Sequence, residues 1–140
     1  MSLPTSIALE IVTPDRPIVT ERVDEVEIPA ADGYMGVLPG HTPLLAALSI
    51  GQLSYRQGDA RHYLAIAFGF AEILPDRVTV LAQMAEKPEE IDLQRAESAR
   101  QRAEQRLARP TLEMDFERAR IAMMKSLIRQ QVAARTRTRG

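Results

Sequence analysis

The stretch Gln83-Met84-Ala85-Glu86-Lys87-Pro88-Glu89-Glu90-Ile91-Asp92 divides the chain into two segments with different sequence patterns. Before Pro88, short runs of β-branched residues are interrupted every few residues by glycine, proline and aspartate, which is typical of strands joined by turns. After it, the remaining 52 residues contain one proline and one terminal glycine and are rich in arginine, glutamate and alanine. We therefore expect a β domain over residues 1–86 and a helical domain over residues 87–140.

The first segment predicts short strands. Apolar and charged side chains alternate in residues 18–28, the pattern of a half-buried strand. Gln57-Gly58-Asp59 and Pro75-Asp76 each separate two apolar runs and predict hairpin turns. The other strand-like runs are residues 6–12, 35–38, 44–49, 52–56, 62–67, 70–74 and 77–82. Strands this short, with turns this frequent, favour an antiparallel sandwich or a flattened barrel.

The second segment predicts two helices. Pro88 and the two acids after it suit the first turn of a helix that ends near Arg109. Pro110 interrupts, and Thr111 is the expected N-cap of a second helix that runs from about Leu112 into the 130s. The expected apolar stripe of this helix comprises positions 112, 116, 119, 123 and 127, beside 121, 124, 128 and 132. The first helix offers alanines at 96, 99 and 103, with Leu107. Because small residues allow close approach, we expect an antiparallel hairpin.

Composition limits the function classes. A length of 140 residues suits one domain, or one small domain with an appendage. The absence of cysteine excludes disulfides, thiolate metal sites and a cysteine nucleophile. No basic and apolar leader and no membrane-length apolar run is found, so we expect a soluble protein. The net charge of −1 is divided into −6 over residues 1–86 and +5 over residues 87–140. This asymmetry favours a helical part that folds back on the β part or reaches for an acidic partner.

The sequence offers little support for an enzyme. His41 and His62 are 21 positions apart without a nearby acidic cluster, so a turn or interface histidine is the better interpretation than a metal or catalytic site. Gly-rich phosphate loops, Gly-x-Ser-x-Gly and His-Glu-x-x-His are all absent from the sequence.

The arginine-rich helices suggest two further alternatives. Nucleic-acid binding would use the arginines, but glutamates are interleaved with them and aromatic stacking residues are scarce; these glutamates are Glu97, Glu104, Glu113 and Glu117. Asp92 and Arg95, at i and i+3, predict a surface salt bridge. The alternative is a phosphate cradle, in which Arg95 and a basic residue of the second helix hold a ligand.

Three groups of residues, in the same order and spacing, resemble the epsilon subunit family of bacterial F-type ATP synthases over essentially the whole chain. The first is Gly36-Val37-Leu38-Pro39-Gly40-His41-Thr42-Pro43-Leu44-Leu45-Ala46-Ala47-Leu48, followed by Gly51-Gln52-Leu53. The second is Phe68-Gly69-Phe70-Ala71-Glu72 with Val78-Thr79-Val80-Leu81-Ala82. The third is Ile91-Asp92-x-x-Arg95-Ala96.

The resemblance implies an α+β protein, a ten-stranded antiparallel β-sandwich followed by an antiparallel two-helix hairpin. It implies a non-catalytic rotor subunit of the central stalk that couples proton flow to ATP synthesis. The partners would be the gamma subunit and the membrane rotor ring, joined by the alpha and beta subunits when the hairpin extends and restrains ATP hydrolysis. The protein would lie peripherally on the cytoplasmic face of the bacterial plasma membrane, or on the stromal face of the thylakoid in a plastid member.

The resemblance also implies site residues. The interface with gamma and the rotor ring would include Tyr34, Leu38 and His41, with Tyr34 where some members carry an acid. No cofactor is required, but ATP is a possible regulatory ligand of Glu86, Ile91, Asp92, Arg95, Ala96, Lys125 and Arg129. Inhibitory contacts would be made by Arg118, Arg120, Lys125 and Arg129. Because Lys125 replaces the arginine of the best ATP binders and lacks its planar fork, we expect weaker ATP binding. A constitutive coupling adaptor and a standalone ATP-sensing module remain as alternatives.

Overall fold

The computed structural model describes residues 3–109 and 113–137. The chain forms two compact units, Met1–Glu86 and Lys87–Gly140, and each has its own architecture. The first unit contains the described strands and the second contains the described helices.

Seven strands form a single sheet in the described part of the first unit. They are β1 (Ile7–Val12), β2 (Pro17–Val23), β3 (Glu25–Ala30), β4 (Gly33–Val37), β5 (Leu44–Gln57), β6 (Ala60–Leu74) and β7 (Arg77–Glu86). Their order in the sheet is β2-β1-β7-β6-β5-β3-β4, and every pair is antiparallel except β1 with β7. The expected α+β class, a β-sandwich domain followed by helices, is confirmed.

The strands are longer and fewer than the ten that the resemblance implied. The expected strands 44–49 and 52–56 are one strand, β5, and the expected strands 62–67 and 70–74 are β6. The β6 strand continues through a local irregularity at which Phe68 has a φ of 60° and Gly69 a φ of 129°, and its register with β5 and β7 is the same on both sides. A side chain at Gly69 would place its Cβ 2.0 Å from the carbonyl oxygen of Leu81, so only glycine fits there. Residues 18–28 are instead divided between β2 and β3.

The sandwich core consists of large aliphatic side chains that are excluded from solvent. The largest fully buried ones are Ile7, Leu9, Ile11, Ile28, Leu53, Leu64, Ile66 and Ile73. They come from the inward-facing positions of β1, β3, β5 and β6, so both the short and the long strands contribute. Burial of about 1.5–3 kcal/mol per such side chain is what stabilises this unit.

The first helix begins later than the sequence predicted. Pro88–Glu90 forms a separate 3-10 turn, and helix α1 covers Leu93–Leu107. Asp92 is the N-cap, since its carboxylate accepts the backbone N–H of Arg95 at 3.0 Å. The expectation of an Asp92–Arg95 surface salt bridge was wrong, because the carboxylate binds the backbone of Arg95 in place of its guanidinium.

Helix α2 covers Glu113–Arg137, and the expected Thr111 cap and Leu112 lie outside the described residues. The buried residues of the two helices are mainly small: Ala96 and Ala103 on α1, with Ala119, Ser126, Val132 and Ala133 on α2. Ala119, Ser126 and Ala133 recur at intervals of seven residues, so they share one face of α2. The predicted stripe was correct at 119 and 132 but wrong at Phe116 and Leu127, which are 46% and 38% exposed. No helix in the described ranges has the length and apolar character needed to cross a bilayer.

Candidate functional site

A row of apolar side chains, exposed except for the half-buried Val12, crosses four neighbouring strands on the outer face of the sheet. In direct register, Ala47 of β5 faces Phe70 of β6, Phe70 faces Leu81 of β7, and Leu81 faces Val12 of β1. Phe70 and Leu81 are 55% and 56% exposed although both occupy central strands. We call Val12, Ala47, Phe70 and Leu81 the apolar row. Contiguous exposed apolar side chains of this kind mark protein–protein contact sites.

The apolar row has a mixed border. The parallel row one pleat away contains Leu45, Glu72, Thr79 and Glu10 in direct register across the same four strands. Leu45 extends the apolar surface, and the two carboxylates border it with negative charge. An apolar centre with a charged rim is the usual layout of a protein interface.

The residues expected at the rotor interface occupy one turn and one strand. The turn at 38–41 is closed by a bond from the N–H of His41 to the carbonyl oxygen of Leu38, at 3.2 Å. Gly40, with a φ of 87°, donates its N–H to the carbonyl oxygen of Pro75 at 2.7 Å, which fixes this turn to the β6–β7 turn. Tyr34 lies on β4, which ends just before the turn. Leu38 and His41 thus share one turn, and Tyr34 lies on the strand that leads to it.

Neither histidine forms part of a metal site in the described residues. His41 donates from Nδ1 to the carbonyl oxygen of Thr42 at 2.6 Å, and this bond fixes its ring within the turn. His62 stacks on Tyr55 with ring centroids 4.9 Å apart. Within the ranges 3–109 and 113–137, no group of three or more histidine, aspartate or glutamate side chains is arranged to hold a metal ion.

A charged network connects the two helices. Arg100 binds Glu97 and Glu104 on its own helix, and Glu97 also accepts the side-chain N–H of Gln130 from α2. The hydrogen bond from Arg100 lowers the pKa of Glu97, with a smaller contribution from Gln130. The same bond raises the pKa of Arg100. We call Glu97, Arg100, Glu104 and Gln130 the clasp, since it links α1 to α2.

The residues expected to bind ATP come from different elements of the structure. Ile91 and Asp92 lead into α1, where Arg95 is exposed and Ala96 is buried. Lys125 and Arg129 lie one turn apart on α2, and both are half-buried. Each of these two cations already takes part in an interaction, as does Glu86 at the end of β7.

The residues expected to inhibit hydrolysis differ in their present contacts. Arg118 is exposed, whereas Arg120 binds the carboxylate of Glu117 at 3.0 and 3.2 Å and contacts the sulfur of Met124 at 3.4 Å. The hydrogen bond from Arg120 lowers the pKa of Glu117. An acidic partner of Arg120 would therefore have to compete with Glu117.

Two features escaped the sequence analysis. The apolar row was missed because apolar residues in a strand predict burial, and only the register shows that Phe70 and Leu81 meet on an outer face.

The second feature is an arginine cluster that lines a cleft of about 260 Å³ on α1 and the residues after it: Arg102, Gln105, Arg106 and Arg109. Its spacing of i, i+4 and i+7 was a helical signal that could have identified it.

Comparison with known proteins gives a consistent result for both units. Residues 6–88 match the model of the ATP synthase delta/epsilon chain beta-sandwich domain, and residues 89–134 match the long alpha-helix domain of the same chain. The ATP synthase epsilon chain of Koribacter versatilis is 56% identical over 98 residues, which cover 70% of this chain and 69% of the relative. That of Solibacter usitatus is 45% identical over 131 residues, which cover 94% and 98%.

Solved structures show the same similarity. A chain in the Euglena gracilis mitochondrial ATP synthase structure, which contains OSCP, F1 and the c-ring, superposes with a TM-score of 0.82 at 27% identity. The match covers 96% of this chain and 84% of that one. A chain from the central stalk and c-ring of the Tetrahymena thermophila mitochondrial ATP synthase has a TM-score of 0.66 at 8% identity, which indicates a shared fold.

Proposed function

Because the chain belongs to the delta/epsilon chain family of ATP synthases, we propose that its sandwich anchors it in the central stalk while its hairpin regulates ATP hydrolysis. The chain is a non-catalytic subunit of the ATP synthase central stalk. The family resemblance seen in the sequence is therefore confirmed. The specific partners and the roles of individual residues are our proposal.

The apolar row is the observation that supports anchoring. It presents Phe70 and Leu81 on a rigid sheet, and aromatic side chains on rigid elements are common energetic centres of interfaces. We assign the apolar row to the contact with the gamma subunit. This contact has to persist while the rotor turns. The turn at Leu38 and His41, with Tyr34, faces the membrane rotor ring.

The anchoring role can be tested with Phe70→Asp in the full-length chain, added to an ATP synthase complex that lacks this subunit. Introducing a charge at the centre of the apolar row should weaken binding about 30-fold or more, the effect of losing a residue worth about 2 kcal/mol. Leu3→Asp is the matched control, because Leu3 is exposed but lies outside the row. Wild-type affinity for Phe70→Asp would exclude the row as the gamma contact.

The small buried residues between α1 and α2 support a regulatory hairpin. We call Ala96, Ala103, Ala119, Ser126 and Ala133 the seam. Alanine and serine bury little area, so the folded hairpin has only a small excess of stability over alternative arrangements. A partner that prefers the extended arrangement need supply only a few kcal/mol to change the population. In that arrangement Arg118, Arg120, Lys125 and Arg129 pair with acidic surfaces of the alpha and beta subunits.

Deletion of residues 88–140 tests this regulatory role. ATP hydrolysis by the assembled complex should rise when the hairpin is removed, while the subunit still binds the stalk. Arg118→Glu keeps the hairpin and removes one proposed inhibitory contact. It should therefore raise the rate of ATP hydrolysis by a smaller factor than the deletion does. An unchanged hydrolysis rate after the deletion would favour a constitutive coupling adaptor.

The same hairpin is the place for a regulatory ATP site. Arg95, Lys125 and Arg129 supply three cations, with Glu86, Ile91, Asp92 and Ala96 as the remaining proposed contacts. Calorimetry of the isolated chain should show tighter ATP binding by Lys125→Arg than by wild type, because the guanidinium binds phosphate bidentately. Arg102→Lys, outside the set, should leave the affinity unchanged. If neither wild type nor Lys125→Arg binds ATP, ATP is not its regulatory ligand.

We also propose a cellular location. The relatives at 45–56% identity are bacterial ATP synthase chains, so we place this chain peripherally at the cytoplasmic face of a bacterial plasma membrane. There it couples proton flow to ATP synthesis without entering the bilayer. Fractionation of cells should recover it with the membranes and release it when the catalytic sector is stripped off.

A further inference from the structure

The hydrogen-bond ladder between β3 and β5 is broken in the middle. Glu27 of β3 pairs with Ser54 of β5, and the next pair is Ala30 with Leu48, in a shifted register. Between these pairs β3 has two residues, Ile28 and Pro29, whereas β5 has five, residues 49–53. We call residues 28–29 and 49–53 the ladder break. Pro29 adds to it, because proline has no N–H to donate.

Two side-chain hydroxyls bridge the ladder break. The Oη of Tyr34, on β4, accepts the backbone N–H of Gln52 at 2.9 Å. The Oγ of Ser49 donates toward the carbonyl oxygens of Pro29 and Ala30 at 3.3 and 3.2 Å. Hydroxyl groups thus make hydrogen bonds to the backbone on both strands of the ladder break, where the register of β3 with β5 is interrupted.

The Tyr34 side chain reaches across β3 to make this bond. Tyr34 faces Pro29 in the β3–β4 pairing, and its hydroxyl lies over Gly51 of β5. A Cβ at Gly51 would lie 2.6 Å from the Tyr34 hydroxyl and 2.6 Å from the Pro29 side chain. Gly51 therefore makes room for the ring, although a glycine in a strand otherwise weakens it.

The ring is held at one end but remains accessible. Tyr34 is 56% exposed, and a Cβ placed on Gly36, its neighbour on the same face of β4, would meet no atom within 4 Å. An aromatic ring that is exposed yet already restrained loses little conformational entropy on binding. Its neighbours on this face are the uncharged Pro29, Gly36 and Gly51, together with the carboxylate of Glu27, which faces Gly36 from β3.

We infer that Tyr34 is a positioning residue of the rotor-facing surface, which holds its ring and the β3–β4 hairpin in binding geometry through the hydroxyl bond to Gln52. The inference depends on the proposed anchoring function and adds the means by which this surface is shaped. Ser49, which is half-buried, acts on the same geometry from the other side of the ladder break.

The test compares Tyr34→Phe, which keeps the ring and removes the hydroxyl, with Ser49→Ala, which removes the other bridging hydroxyl. Each full-length variant is titrated onto the complex that lacks this subunit, at low and high salt, and amide hydrogen exchange of Gln52 is followed by NMR. We expect Tyr34→Phe to accelerate exchange at Gln52 and to weaken binding about 3- to 10-fold, the effect of one net hydrogen bond. Ser49→Ala should also weaken binding, and Tyr34→Glu, which adds a charge to this face, should make binding more sensitive to salt than that of the wild type.

Two outcomes would overturn the inference. If Tyr34→Phe accelerates exchange at Gln52 but binds with wild-type affinity, the hydroxyl has a structural role only. If exchange at Gln52 is unchanged, the hydroxyl does not hold the ladder break. The Phe70→Asp variant distinguishes a failure of this inference from a failure of the proposed function. If Phe70→Asp binds with wild-type affinity while Tyr34→Phe binds more weakly, the apolar row is not the gamma contact, but Tyr34 keeps its positioning role.

Discussion

The sandwich and the hairpin differ in how they bury surface. The sandwich encloses isoleucine, leucine and valine side chains with no exposed area, whereas the hairpin seam encloses Ala96, Ala103, Ala119, Ser126 and Ala133, joined by Val132. A buried alanine removes far less apolar area from water than a buried leucine, so each position contributes less to stability. One unit is built to hold its shape, and the other has a shape that a modest free energy can change.

Removal of a core side chain from the sandwich should have the largest effect. Leu53→Ala deletes a fully buried side chain and should lower the free energy of unfolding by about 2–5 kcal/mol. Urea unfolding followed by tyrosine fluorescence measures it, since Tyr34, Tyr55 and Tyr63 all lie in residues 1–86. Ile128→Ala, at a half-buried position of α2, is the hairpin counterpart; its unfolding is followed by helical circular dichroism, and its cost should be smaller. An equal cost would show that the hairpin is packed as firmly as the sandwich.

Overpacking the seam should have the next largest effect. Ala103→Leu adds three carbon atoms at a position that is 2% exposed, and it should destabilise the hairpin by about 1–3 kcal/mol. Thermal loss of helical circular dichroism measures this change. Ala108→Leu, at the exposed end of α1, is the control. A more stable Ala103→Leu hairpin would mean that the helices are not closely packed there.

Replacing the buried serine should change stability less, and in the opposite direction. The Oγ of Ser126 donates to the carbonyl oxygen of Ala122 at 2.8 Å, a bond back to its own helix that favours no partner. Ser126→Ala should stabilise the hairpin by about 0.5 kcal/mol, because alanine is the better helix former. Ser98→Ala on the exposed face of α1 provides the propensity gain alone. Destabilisation by Ser126→Ala would instead assign the hydroxyl a structural role.

Loss of the clasp should have the smallest effect on the stability of the hairpin, and this effect should depend on pH. The pKa of Glu97 is lowered from 4.5 in the folded state, first by the Arg100 hydrogen bond. Its stabilising contribution is therefore complete above pH 4.5 and is lost as the pH falls through the folded pKa. Helical circular dichroism of the wild type should fall over this acidic range, and Glu97→Gln should remove that part of the fall. The control is Glu89→Gln, outside the clasp, and a wild-type pH profile for Glu97→Gln would contradict the assignment.

The sequence predicted most elements for identifiable reasons. Gly58-Asp59 and Pro75-Asp76 form turns as expected, because these residue types suit turn geometry whatever surrounds them. The start of α1 was misplaced because Pro88 and Asp92 are both acceptable helix starts, and only the backbone shows that Asp92 is the cap. Of the candidate site, the turn at Leu38 and His41 could be placed from its prolines and glycine. The apolar row could not, since it depends on the register of four strands.

By itself the sequence determined the change from strands to helices near Pro88, the turns and the family, because each depends on local residue types in a particular order. The tertiary structure decided which apolar residues stay exposed, since Phe70 and Leu81 differ from their buried neighbours only in the face that the pleat and register assign to them. It also decided that Tyr34 binds Gln52, a contact across 18 positions that depends on the break at Pro29. Local propensity acts over a few residues, whereas exposure and such contacts depend on which distant segments pack together.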